Sequence, residues 1–202
     1  MIEDQIQQLR GRKANILDHQ KSFQSSVLLP VVKIDDELQV LFEKRSADLK
    51  LQPGEICFPG GKIEKGETSE ETVLRETCEE LGLSSNDIEI LAPLDIMVSP
   101  FNAIIYPYIG IIDDPSKIEY NPDEVEQIFF VPLSFFLLNS PKLTKLHLQI
   151  RMPDDYPFEL VPYGKNYPYR EGVYPQQFYV WEDKVIWGLT ARILYHFLSL
   201  LK

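Results

Sequence analysis

The stretch Gly61-Lys-Ile-Glu-Lys-Gly-Glu67-Thr68-Ser69-Glu70-Glu71-Thr-Val-Leu-Arg75-Glu76-Thr77-Cys78-Glu79-Glu80-Leu-Gly82-Leu83 carries the most information in this 202-residue chain. Thr68 followed three residues later by Glu71 spells a capping box, so a helix is predicted to begin near Ser69. Gly82 is a natural stop for it. Residues three and four apart are neighbours on a helix, which puts Glu76, Glu79 and Glu80 in one narrow arc. Carboxylates that close raise one another's pKa, a cost that makes sense where a cation sits among them.

Glu-rich helices are ordinarily solvated faces. Here, however, the spacing G-x5-E-x7-R-E-x2-E-E-x-G fixes seven positions, and at roughly 7% usage per residue type a chance match has odds of about 10⁻⁸. The pattern resembles the Nudix box of the Nudix hydrolases, which cleave nucleoside diphosphates linked to another moiety. Thr77 departs from it, standing where a large aliphatic residue is commonest, on the side of the helix expected to face the core. The resemblance implies an α/β fold, a Nudix-type α/β/α sandwich with a mixed β-sheet.

A second signature abuts the first: Leu41-Phe42-Glu-Lys-Arg45-Ser46-Ala-Asp-Leu-Lys50-Leu-Gln-Pro-Gly54-Glu-Ile-Cys57-Phe58-Pro59-Gly60-Gly61. A basic residue ending a strand, another in a turn, and then glycines make a plausible anion cradle. The run is similar to the motif of one Nudix subfamily, the coenzyme A pyrophosphatases, matching it at Arg45, Ser46, Gly54, Phe58, Pro59, Gly60 and Gly61. Phe42 replaces an aliphatic residue. Lys50 replaces a second arginine, keeping the charge but losing the fork that grips phosphate bidentately. Near the C-terminus, Ile186-Trp187-Gly188-Leu-Thr190-Ala191 is similar to a stretch of the same subfamily.

The chemistry follows from the donors. Mg²⁺ and Mn²⁺ prefer oxygen ligands, which a carboxylate cluster supplies. The resemblance implies that Glu79, Glu80 and the Gly61 carbonyl hold the principal ion, and that Glu76 binds a second one or helps deprotonate water. It also implies that Arg75 pairs with Glu67 beside the site. Nudix enzymes usually add one more carboxylate beyond the box, as ligand or base; Asp123, Glu124 and Glu126 are candidates, with Glu124 favoured because it precedes a strand. Arg45 and Lys50 are the candidate substrate-binding cations.

Composition narrows the classes. With 44% hydrophobic and 25% charged residues the chain is ordinary globular protein, with no window apolar enough for a membrane span and no secretory signal, so a cytoplasmic location is expected. The net charge of −11 argues against broad nucleic-acid binding, and means that a polyanionic substrate must be drawn in by metal ions and local cations. Cys57 and Cys78 have no ligand spacing and read as small buried hydrophobes, and His19, His147 and His196 match no triad.

Along the chain the pattern predicts a helix over 1–20 (Ile2, Ile6, Leu9 at helical spacing), then strands over 26–33 and 37–45. Further strands are expected over 88–98, 104–112, 125–131, 146–150 and 178–181, a short helix over 133–138, and a C-terminal helix over 186–201. One Nudix domain is expected over 1–202, with 1–25 a helical extension and 26–201 the core. The Tyr- and Pro-rich segment 156–175 reads as coil or as an aromatic platform for a base. The reading that results is a metal-dependent hydrolase of coenzyme A or acyl-CoA. The alternatives are a hydrolase of ADP-ribose, NADH or dinucleoside polyphosphates, and a non-catalytic nucleotide-binding regulator.

Overall fold

The computed structural model describes residues 2–201. Its strands are β1 (Phe23–Ile34), β2 (Glu37–Arg45), β3 (Ile56–Cys57), β4 (Gly60–Lys62), β5 (Ile88–Pro93), β6 (Met97–Ser99), β7 (Ala103–Ile112), β8 (Val125–Pro132), β9 (Lys142–Leu148), β10 (Gly172–Trp181) and β11 (Lys184–Ile186). The helices are α1 (Ile2–Gln7), α2 (Ser69–Leu81), α3 (Leu133–Leu138) and α4 (Gly188–Leu200). Strands and helices alternate around a mixed sheet, an α/β architecture. The chain divides into two compact units, one formed by the residues up to Pro30 with Pro59–Asn121, the other by Val31–Phe58 with the residues from Pro122 onward.

In the first unit, β1 neighbours β7 and pairs with β4, while β7 pairs antiparallel with β5 and β6. Helix α2 packs on β4 and β7. Its apolar side, Val73 and Leu81, is buried in a core with Leu28, Leu29, Ile104 and Ile112. Thr77 lies fully buried on that side, and its hydroxyl has no hydrogen-bond partner. A buried hydroxyl costs free energy that an aliphatic side chain there would not.

Both ends of α2 are built from local sequence. The Thr68 hydroxyl accepts from the Glu71 amide, and the Glu71 carboxylate accepts from the Thr68 amide, satisfying two orphan donors. Gly82 closes the helix at φ 66°, and a Cβ there would sit 2.1 Å from the Glu119 carbonyl oxygen. That approach lets the amides of Glu119 and Asn121 donate to the otherwise open carbonyls of Leu81 and Glu80.

In the second unit, the end of β1 pairs with β2, which also pairs with β3 and β8. Phe42 stacks between Phe58 and Phe129 at 5.1 and 5.5 Å, and Phe136 of α3 meets Tyr179 edge-on. Helix α4 packs on β10 with Ala191, Leu194 and Leu198 buried, and the Thr190 hydroxyl donates to the Ile56 carbonyl.

The short strands β3, β4 and β11 were not expected, α4 begins at Gly188 and not at 186, and four further elements differ from the sequence reading. The N-terminal helix runs only over Ile2–Gln7, since Ile2, Ile6 and Leu9 remain exposed and a short unpacked helix is marginal; Met1 lies outside the described residues. The strand expected over 88–98 is two strands, broken after Pro93. The strand expected over 146–150 lies earlier, at Lys142–Leu148, its register set by β10. Strand β10 starts at Gly172, because Pro175, a breaker in the sequence, stands where β10 is bordered only by β9.

Removal of the N-cap tests this account of α2. Thr68→Ala should lower unfolding free energy by about 1 kcal/mol in urea titrations, with an unchanged denaturant slope.

Candidate active site

The acidic site is assembled in the first unit from β4, the loop after it and one face of α2. Strand β4 lies against β1 with Ser26 opposite Gly61 and Val27 opposite Gly60. Gly60 has φ +147°, and a Cβ on it would fall 2.2 Å from the Ser26 carbonyl oxygen, so only glycine permits the pairing. Its amide donates to Glu80 Oε2 at 2.7 Å, which orients a carboxylate only 4% exposed. At Gly61 a Cβ would land 2.2 Å from the carboxyl carbon of Glu76. The missing side chain is therefore what lets that acid lie against the Gly61 backbone.

Arg75 ties the loop to the helix. Its Nε and one terminal nitrogen donate to the two oxygens of Glu67 at 2.7 and 3.0 Å, a bidentate grip. The other terminal nitrogen donates to Glu76 at 2.7 Å and Glu79 at 3.2 Å. Glu67 also accepts from the Thr72 hydroxyl and the Glu64 amide. These donors, Arg75 foremost, hold the Glu67 carboxyl down at about 2. The same partners raise the Arg75 guanidinium above its ordinary value.

Among the described residues no three His, Cys, Asp or Glu side chains stand in a metal-holding arrangement. The cation among the acids is the guanidinium of Arg75. The donor set nonetheless suits a hard divalent ion. Glu76 and Glu80 converge on Gly60 and Gly61 of β4, where the missing side chains let both carboxylates approach the backbone, and every donor is oxygen. Glu79 is the most exposed of the three carboxylates, at 57% of its side chain.

The second unit holds Arg45, Lys50 and the acids considered beyond the box. The Arg45 amide donates to the Glu55 carbonyl and its carbonyl accepts from the Gly54 amide, closing the loop between them. Lys50 lies exposed in that loop. The Ser46 amide donates to the Glu124 carbonyl, and the β2–β8 register shifts beside Arg45, so that Glu126 is left opposite no residue. Glu126 forms an ion pair with Lys44 at 2.5 Å. The Glu124 carboxylate lies near enough to Glu43 to disfavour its ionisation.

Glu43 was not singled out by its sequence context. It is 1% exposed, with Oε1 accepting from the Cys57 thiol at 3.1 Å and Oε2 buried without a partner. Burial pushes its carboxyl up to about 7, against the pull of the Cys57 thiol and the Arg45 charge and with a further push from Glu124. The available signal was an acid inside a strand whose neighbours, Leu41 and Phe42, are both core residues. Cys57, expected to be only a small hydrophobe, is half-buried and serves as this acid's donor.

The Tyr- and Pro-rich segment packs upon itself. Tyr169 donates to the Tyr156 hydroxyl at 3.0 Å, Tyr156 meets Phe158 edge-on, and Lys165 lies over the Phe158 ring.

The NUDIX domain model matches residues 24–149. The chain belongs to the Nudix family. It is 39% identical over 132 residues to the peroxisomal coenzyme A diphosphatase NUDT7 of Mus musculus, covering 63% of this chain and 56% of that one. It is 35% identical over 183 residues to Nudix hydrolase 3 of Caenorhabditis elegans, covering 87% and 72%. The chain thus spans little more than half the length of the mouse relative and about seven-tenths of the nematode one. Among solved structures it is similar to the Nudix hydrolase RenU of M. smegmatis, at 18% identity and a TM-score of 0.49, covering 57% of this chain and 73% of that one.

The Arg75–Glu67 clasp has a pH signature. Glu67 falls from an ordinary 4.5 to about 2, so the stability it contributes is present above pH 4.5 and lost as pH falls through about 2. Glu67→Gln should melt below the wild type at pH 7, and the gap in Tm should close between pH 4.5 and 2.

Proposed function

We propose that this protein hydrolyses the diphosphate of coenzyme A or an acyl-CoA to 3′,5′-ADP and 4′-phosphopantetheine or its acylated form. One observation carries the reading: the run Arg45-Ser46, Gly54 and Phe58-Pro59-Gly60-Gly61 leads directly into the acidic helix. That is the arrangement of the coenzyme A pyrophosphatases. Likeness to the mouse protein named a coenzyme A diphosphatase supports it.

In this reading Glu79, Glu80 and the Gly61 carbonyl hold a divalent ion, Mg²⁺ or Mn²⁺. Such an ion, when bound, neutralises the diphosphate oxygens and acidifies water. Glu80 suits the task because the Gly60 amide fixes its orientation and burial keeps it from competing solvent. Glu76 serves a second ion or receives the proton of the attacking water. Arg75 donates to Glu76 at 2.7 Å and steadies the loop through Glu67. Glu124 is the favoured candidate for the further carboxylate, as ligand or base.

Substrate choice falls to Arg45 and Lys50. Coenzyme A differs from most Nudix substrates by its 3′-phosphate, an extra dianion. On a protein of net charge −11 that group needs dedicated cations. Arg45 leaves a backbone fixed by hydrogen bonds, whereas Lys50 supplies a mobile point charge from the loop.

Two measurements test the proposal. Glu80→Gln keeps shape and removes charge, so turnover of coenzyme A with Mg²⁺ or Mn²⁺ should fall at least ~10²-fold, the scale of losing a charge-stabilising group; near-normal turnover would refute the metal assignment. In a panel of coenzyme A, acetyl-CoA, ADP-ribose, NADH and diadenosine polyphosphates, coenzyme A or its acyl form should have the highest kcat/KM. Its 3′-dephospho form should be roughly 10- to 150-fold poorer, the worth of one charge-assisted contact. Lys50→Ala should narrow that gap. Better turnover of ADP-ribose would leave only the Nudix reading.

A further inference from the structure

Two buried polar atoms on β2 lack partners. Glu43 Oε2 and Arg45 Nε both have no solvent contact and no hydrogen bond, although they stand two residues apart on one strand. Side chains at that spacing leave a strand on the same side. They are near enough for the Arg45 charge to act on the Glu43 carboxyl. One is an acceptor and the other a donor, and each is costly to bury alone.

The surroundings explain why the pair matters. The backbone of Arg45 is fixed by its bonds to Glu55 and Gly54, and the following amide, that of Ser46, is held by Glu124. Three hydrogen bonds therefore hold the main chain at this point. What remains to be set is the direction of the guanidinium. The Glu43 carboxyl is itself held at Oε1 by the Cys57 thiol, which leaves Oε2 as its open acceptor. A carboxyl kept only for packing would gain nothing over an apolar side chain of the same volume, which avoids the desolvation cost.

We propose that Glu43 is a positioning residue, whose unpartnered Oε2 becomes the acceptor for Arg45 Nε when the guanidinium turns to the substrate's 3′-phosphate. The inference rests on the reading of Arg45 as a phosphate-binding residue. Glu43 acts through Arg45 and touches no substrate. Any oxygen acceptor at that place does the work, and its charge is not required.

Binding of 3′,5′-ADP, measured by calorimetry without metal, tests it independently of turnover. Glu43→Leu removes the acceptor at similar volume, and should weaken binding about 10-fold while leaving Tm equal or higher, since an imperfectly paired buried carboxyl is gone. Glu43→Gln keeps an oxygen there and should bind within about 3-fold of the wild type. Arg45→Ala should weaken binding by itself, and adding Glu43→Leu to it should cost little more, because the two act as one unit. Should Glu43→Leu fail to fold, Glu43→Met carries the same comparison. Wild-type affinity in the Leu variant, equal losses in Leu and Gln, or additive losses with Arg45→Ala would each overturn the role of Glu43 while leaving Arg45 in place. Failure of the wild type to bind 3′,5′-ADP, or unchanged binding in Arg45→Ala, would instead remove the phosphate-binding reading and this inference with it.

Discussion

The site in the first unit depends on one guanidinium. Arg75 faces Glu67, Glu76 and Glu79 at once, and without it those carboxylates would repel one another across a short loop and a single helix face. Its planar fork takes both oxygens of Glu67 while a third nitrogen serves the other two acids. Lysine could supply the charge and not the geometry. Through Glu67 the same residue gathers the Glu64 amide and the Thr72 hydroxyl, so the loop from Gly61 is laced to the first turns of α2. The glycines make that lacing possible, since side chains at 60 and 61 would occupy the places of the Ser26 carbonyl and the Glu76 carboxyl.

Two glutamates in the chain show how environment decides the charge of one functional group. Glu67 sits among donors and is driven down to about 2. Glu43 is buried with a thiol as its donor and is driven up to about 7 by that burial. The first is anionic throughout the physiological range and serves as an anchor. The second is poised near neutrality, and an acceptor oxygen is the more dependable property it brings to β2 in either state.

Local signals made α2 legible. Thr68, Glu71 and Gly82 mark its ends by interactions within a few residues, and the helix runs where they say. The bounds of β2, Glu37–Arg45, were equally readable, because the Asp35–Asp36 turn and a run of core side chains delimit it. Legibility failed where a distant partner decides. Nothing local in residues 142–150 sets the start of β9, which follows from pairing Leu148 with Gly172 and Lys142 with Phe178. Pro175 looked like the end of a coil because its harmlessness depends on β10 having one neighbour there. The burial of Glu43 was hidden for the same reason: a strand reads as half-exposed until something covers its other face.

The contrast between Arg45 and Lys50 follows from where the two cations are mounted. Arg45 ends a strand, with its amide and carbonyl both engaged, so little backbone entropy remains to be lost if it binds a phosphate as proposed. Lys50 rides an exposed loop closed at its base by the same two hydrogen bonds, and must lose side-chain freedom on binding. A fork at position 50 would gain less from its geometry than one at position 45, because a bidentate contact is worth most when its mount is already rigid. The departure from arginine at 50 therefore falls where the loss of the fork is best tolerated. Under the proposed coenzyme A reading, precision falls to Arg45 and long-range attraction to Lys50, a division suited to an anionic substrate approaching an acidic protein.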